Sequence, residues 1–219
     1  MSTFSTTESV GRTRSADEPV VALKRRTIDT VLISFGVVLT AALVVAGALL
    51  TWGANFSADY VDDELSSQNI SFPPAAALQE EGRTDLVKYA DEAVNTGDEA
   101  EAYASYINGH LQGIADGATY ADLGTPEREA KAALDAAKKE GVTGAELTKL
   151  ETEYNTLSGQ RNTLFKGETL RGLLLTAFAW ATVGKIASYA AIGAFVAAAA
   201  MLVLVVLGFR HHHKVVQQS

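Results

Sequence analysis

Hydrophobic positions crowd into two uninterrupted runs, Val31–Leu50 and Ile186–Phe209, and neither contains a charged residue. At 1.5 Å per residue, each run is enough helix to cross a hydrocarbon core of about 30 Å. The chain therefore reads as a membrane protein with two transmembrane helices. Between the runs, apolar positions recur three and four residues apart, the spacing of one helix face. The expected fold is all-α: two transmembrane helices with an extracytoplasmic helical bundle or hairpin stalk between them. The expected organisation is a disordered cytoplasmic leader at 1–27, a first span at 28–52, an extracytoplasmic helical domain at 53–171, an outer extension of the second helix at 172–185, a second span at 186–209 and a cytoplasmic tail at 210–219.

Local signals place the elements of the middle domain. Ala54 to Leu65 continues the first span as a helix, and Phe72-Pro73-Pro74 breaks it. Thr84 to Val94 reads as a short amphipathic helix closed by Thr96-Gly97. Asp98 to Ala115 reads as a longer one, with Tyr103, Ile107, Leu111 and Ile114 on one face and acidic residues in its first turn, where the helix dipole favours them. Thr125-Pro126 is the expected start of a third helix, with Thr125 as cap. Thr143 and Glu146 have the spacing of a capping box for a fourth. The fourth carries Leu147, Leu150, Tyr154, Leu157, Arg161 and Leu164, a three-four repeat that fits either a coiled-coil seam or one amphipathic helix on a general core, and either way gives an α-hairpin. Its expected antiparallel partner is the preceding Ala-rich helix, through Ala130, Ala133, Leu134 and Ala137.

The apolar run that ends at Phe209 contains small residues every fourth position. Ala190, Ala194 and Ala198 form one row, Gly193 and Ala197 another, and the first span offers Ala42 and Ala46. Small residues at this spacing let helix backbones approach in lipid, so these are the expected transmembrane packing positions. They serve pairing within the chain, docking to another protein, or both.

Charge sets the orientation. Lys24, Arg25 and Arg26 precede the first span, and Arg210 and Lys214 follow the second. Basic flanks stay in the cytoplasm, so both termini are expected inside and the middle domain outside the plasma membrane. Lys24, Arg25, Arg26 and Arg210 then mark one membrane interface, with Trp52 and Lys185 at the other. Lys185 either snorkels to that interface or is a buried functional lysine, and both readings stay open. Residues 53–171 carry a net charge of −12, which argues against nucleic acid as a partner of this domain. The first apolar run is longer than the core of a cleaved signal peptide and follows about 20 polar residues, so it is read as an anchor. The Ser/Thr-rich leader is open to phosphorylation.

The chain has no cysteine, which excludes thiol catalysis, disulfides and cysteine metal sites. His110 is the one histidine of the middle domain. His211, His212 and His213 lie beside the second span and read as part of a basic juxtamembrane cluster. No phosphate loop, nucleophile elbow or HExxH motif is present. Asp62, Asp63 and Glu64 are consecutive and point around a helix rather than towards one cation. No catalytic, cofactor or metal residue is assigned, and no cofactor is expected. The polar run from Ser158 to Arg171, with Gln160, Arg161, Asn162, Lys166, Glu168 and Arg171, is the candidate interaction surface, and a structural role in fixing the stalk to the membrane is equally open to it.

Three segments, LTWGANFSADYVDDELSSQNISFPP from Leu50, GDEAEAYASYINGHLQGIADGATYADL from Gly97 and SGQRNTLFKGETLRGLLLTAFAWATVGKIA from Ser158, carry a resemblance. They are similar to a family of small two-span membrane proteins from actinobacteria. Many members bear a label implying a subunit of an aromatic ring-opening dioxygenase. That chemistry needs a set of histidine and carboxylate ligands, or a lid over one, and a single outer histidine does not supply it. The expected function is a non-enzymatic accessory or scaffold protein of a plasma-membrane or cell-envelope assembly, in contact with lipid, with other membrane proteins or with its own copies. A sensor that signals through a partner is the alternative, and a membrane-anchored enzyme the last.

Overall fold

The computed structural model describes residues 25–217, with side chains described over 27–211. Five α-helices follow in order: α1 Arg25–Ser66, α2 Ala75–Glu80, α3 Gly97–Gln112, α4 Gly124–Glu140 and α5 Ala145–Gln217. Two 3-10 turns, Thr84–Tyr89 and Ile114–Gly117, link them, and no strand occurs among the described residues. The helices α1 and α5 are long and apolar enough to cross a membrane. The leader and Lys24 lie outside the described residues, as do the side chains of Arg25, Arg26, His212, His213 and Lys214.

The chain divides into two compact units, Met1–Ala42 with Ala197–Ser219 and Leu43–Val196. In the first, α1 and α5 meet through Gly36, whose missing side chain leaves room for Val205 and Met201, and through Gly208 against Ile33. Ala198 and Val205 are buried there. The Thr40 hydroxyl donates back to the Gly36 carbonyl at 2.7 Å, which keeps a polar group satisfied inside an apolar helix.

The second unit contains the same kind of contact and a true core. Along α1, Gly47, Ala54 and Val61 are buried at spacings of seven, with Ser57 buried and Leu50 half-buried between them. Gly184 and Ala191 of α5 answer at the same spacing, with Ala187 and Ala194 half-buried. This alternation of three and four is the heptad rhythm of left-handed helix pairs. The core gathers Val61, Leu65, Phe72, Leu78, Leu86, Val94, Ala100, Ala104 and Leu174. A smaller cluster, Leu111, Leu123 and Leu164, pins α3 to α5.

Several local expectations are corrected. The α1 helix ends at Ser66, before the prolines, with Asn69 in the left-handed region at φ 51°. Thr84 to Val94 is not an amphipathic helix: a 3-10 turn gives way to an extended stretch, and Ser71 bridges Ala93. Val94 N–H donates to the Ile70 carbonyl and Phe72 N–H to that of Glu92, both at 2.9 Å, so the segment after α1 finds partners for its backbone. Thr96 opens α3 rather than closing what precedes it. Its hydroxyl accepts from Glu99 N–H while the Glu99 carboxylate accepts from Thr96 N–H, a complete capping box. The α3 helix stops at Gln112, short of Ala115, which is left-handed at φ 48°.

Thr125 does not cap α4. The chain is already wound at Thr119, whose N–H and hydroxyl both donate to the Asp122 carboxylate while its hydroxyl accepts from Asp122 N–H. Gly124 is then the first helical residue. Gly141, left-handed at φ 75°, ends the helix. The expected box at Thr143 and Glu146 gives way to Gly144 at φ 72°, and α5 starts at Ala145.

Candidate interaction surface

The hairpin of α4 and α5 forms as the heptad pattern predicts. Ala130, Leu134 and Ala137 are buried, whereas Ala133 faces solvent. Lys138 pairs with Glu151 at 2.9 Å, and Lys131 lies over the Tyr154 ring at 5.9 Å, which fixes an antiparallel register. Arg161, the polar member of the repeat, is the node of the hairpin base. Its Nη1 donates to Glu127 Oε2 at 2.7 Å and its Nε to the Tyr120 carbonyl at 3.3 Å, while its guanidinium stacks on the Tyr120 ring at 4.1 Å. The Ser158 hydroxyl and then the Arg161 guanidinium hold the Glu127 carboxyl below the usual carboxylate range. A half-buried arginine that bonds Glu127 through Nη1 and the Tyr120 carbonyl through Nε is a positioning group that fixes α4, α5 and the Tyr120 loop against one another.

Two shallow grooves flank this node. The first, of 480 Å³, is lined by Tyr120, Glu127, Asn155, Ser158, Asn162 and Phe165 around Arg161. The second, of 490 Å³, runs between the end of α3 and α5 and includes Asn108, Gln112, Thr119 and Glu168. Of the residues expected on this surface, Arg161 and Asn162 come together in the first groove and Glu168 lines the second. Arg171 instead pairs with Glu168 along its own helix at 2.9 Å. Gln160 and Lys166 line neither groove. Ser158 opens the expected polar run, whereas Tyr120 and Glu127 were not legible as members of the site, because their meeting with Arg161 depends on the hairpin register.

At the other end of the second unit, Lys185 makes a contact that neither sequence reading anticipates. Its Nζ donates to both carboxylate oxygens of Asp98, each at 2.7 Å, while both side chains stay more than half exposed. The pair ties the first turn of α3 to α5. Beside it, Gly97 packs directly on Ala181 with no room for a side chain. Ser57 donates its hydroxyl to the Trp180 carbonyl at 2.6 Å, and Gly184 makes the space for it. Trp52 is exposed and stacks on Phe56 at 5.8 Å, which stacks on Tyr60 at 6.1 Å. Arg210 is exposed in the first unit.

The small residues expected to pack do not form one surface. Ala198 is buried and Ala194 half-buried, but Ala42, Ala46, Ala190, Gly193 and Ala197 are exposed within the chain. The close contacts fall at Gly36, Gly47, Gly184 and Gly208 instead. The physical reason is the period: a row of fourth residues drifts off a seam that advances by three and four.

His110 sits on the outer face of α3 with its Nε2 3.6 Å from Glu81 Oε2 and its ring edge-on to Tyr106. Among the described residues, no three histidine or carboxylate side chains are grouped closely enough to hold a metal ion. Comparison with protein-family models, with curated proteins and with solved structures finds no match.

Proposed function

We propose that this chain is a non-enzymatic accessory or scaffold protein of a plasma-membrane or cell-envelope assembly. It crosses the membrane twice with both termini in the cytoplasm, and residues 53–171 form its outer domain. The basic residues before Val31 and after Phe209 support that sidedness.

One observation carries the reading. Apolar surface continues on α5 well before the second charge-free run begins: Leu170, Leu173, Trp180 and Val183 are exposed, and so are Phe56 and Tyr60 of α1. From Leu170 to Val183 that is roughly 20 Å of helix outside the hydrocarbon. Apolar surface of this kind marks a place where another protein sits.

The test is mild crosslinking in the native membrane, affinity capture and mass spectrometry, with Leu173→Glu and Val183→Glu variants alongside. A stoichiometric partner that is lost in both variants supports an accessory subunit. Equal capture from wild type and variants, or capture of this chain alone, contradicts it and favours a self-contained sensor.

A further inference from the structure

The two grooves beside Arg161 meet at Tyr120, which lines both. In the first, the charged lining residues are Glu127 and Arg161, and they neutralise each other at 2.7 Å. Glu168 of the second is paired with Arg171. What remains is a set of rings and amides. Tyr120 and Phe165 are exposed, with ring centroids 5.8 Å apart and planes tilted by 47°. The carboxamides of Asn155 and Asn162 in the first groove, and of Asn108 and Gln112 in the second, make no hydrogen bond among the described residues.

Two backbone features fall on the same surface. Gly159 lines the first groove between Asn155 and Asn162, well inside α5, and nothing stands within 4 Å of its would-be side chain. A glycine there weakens the helix, and no packing within the chain requires it. It leaves room for a ligand to approach the α5 backbone. The loop to Tyr120 departs from α3 through Ala115 and Asp116, both left-handed, at φ 48° and 55°. That conformation is costly for residues other than glycine, and such strain gathers at binding sites.

The lining selects the occupant. No aliphatic side chain lines the first groove, so it lacks the apolar centre of a protein interface. A carboxamide presents a donor and an acceptor side by side, which matches neighbouring hydroxyl groups of a sugar ring. An aromatic face is electron-rich and attracts the C–H groups on the flat side of that ring. Residues 53–171 carry a net charge of −12, which repels acidic glycans.

We propose that the surface around Tyr120 is a binding site for a neutral saccharide chain. Its sugar rings stack on Tyr120 and Phe165, and its hydroxyl groups bond the carboxamides of Asn155 and Asn162. The inference goes beyond the scaffold reading and rests on it in one respect: an outer domain is the one that meets saccharides of the cell surface.

The experiment uses the full chain in dodecylphosphocholine, a detergent whose headgroup carries no sugar. Binding of maltotriose, cellotriose and triacetylchitotriose is measured by titration calorimetry, with trigalacturonic acid as the charged control. The expected result is binding of at least one neutral trisaccharide with a Kd of about 1 mM or tighter, and none of the control. Asn162→Ala and Phe165→Ala each weaken that binding about fivefold, the effect of losing one modest contact. Gly159→Leu fills the groove from an unobstructed position with a better helix former, so it abolishes binding while the melting temperature holds or rises.

Failure of all three neutral probes to bind overturns the proposal, as does binding that survives Gly159→Leu. Equal or tighter binding of trigalacturonic acid overturns it in favour of a site for anions. Binding in micelles needs neither a partner protein nor a sidedness, so the scaffold reading fails or stands separately, by crosslinking and by labelling in intact cells.

Discussion

Glycine decides where the long helices touch. At Gly97 an added methyl group would strike the Ala181 Cβ, which is fixed directly to the α5 backbone, so the two helices would have to shift apart. Overpacking of this kind costs about 1–3 kcal/mol. Gly97→Ala should therefore lower the melting temperature of the purified chain by several degrees, as followed by circular dichroism. Gly193 is the contrast: nothing lies within 4 Å of its would-be side chain, and it sits in mid-helix. Gly193→Ala should leave the melting temperature unchanged or raise it slightly, because alanine is the better helix former by about 1 kcal/mol. Equal losses at both positions would mean that Gly193 packs against something this chain does not supply. The Lys185 pair belongs to the same scale. Asp98→Asn should loosen the first turn of α3, seen as faster hydrogen exchange there, with a small effect on global stability, because the pair is exposed.

At the scale of elements, the hairpin of α4 and α5 is held at its base by Glu127 and Arg161. The folded carboxyl of Glu127 lies below its ordinary value of 4.5, so its contribution is present above that pH and is lost as pH falls through the folded value. Hydrogen exchange of α4 should quicken on acidification below about pH 4.5, and Glu127→Gln should flatten that dependence. An unchanged acid response in the variant would assign it to other carboxylates. The hairpin was legible because its three-four repeat and its Ala-rich partner agree. The caps were not. Thr-x-x-Glu occurs at both 96–99 and 143–146, yet only the first is used, since Gly144 takes the left-handed turn that starts α5. The pairing of Ser71 with Ala93 was illegible for a different reason: a lone bridge leaves no period in the sequence.

At the scale of the molecule, two charge-free runs and the three-and-four spacing between them were enough to predict an all-helical chain with two helices able to span a membrane. The candidate surface was harder to read. Arg161 stood out as a polar residue in an apolar repeat, but its partners lie on other elements. The exposed apolar residues from Leu170 to Val183 have no signature apart from the span they adjoin. Under the proposed function, placement in a bilayer joins these observations. The absence of cysteine makes single introduced thiols clean reporters. The decisive measurement compares Asp135→Cys, on the exposed face of α4, with Ser219→Cys at the end of the chain, using a membrane-impermeant maleimide on intact cells. The account predicts that Asp135→Cys is labelled at once and Ser219→Cys only after lysis. Labelling of Ser219→Cys in intact cells, or protection of Asp135→Cys until lysis, would contradict it.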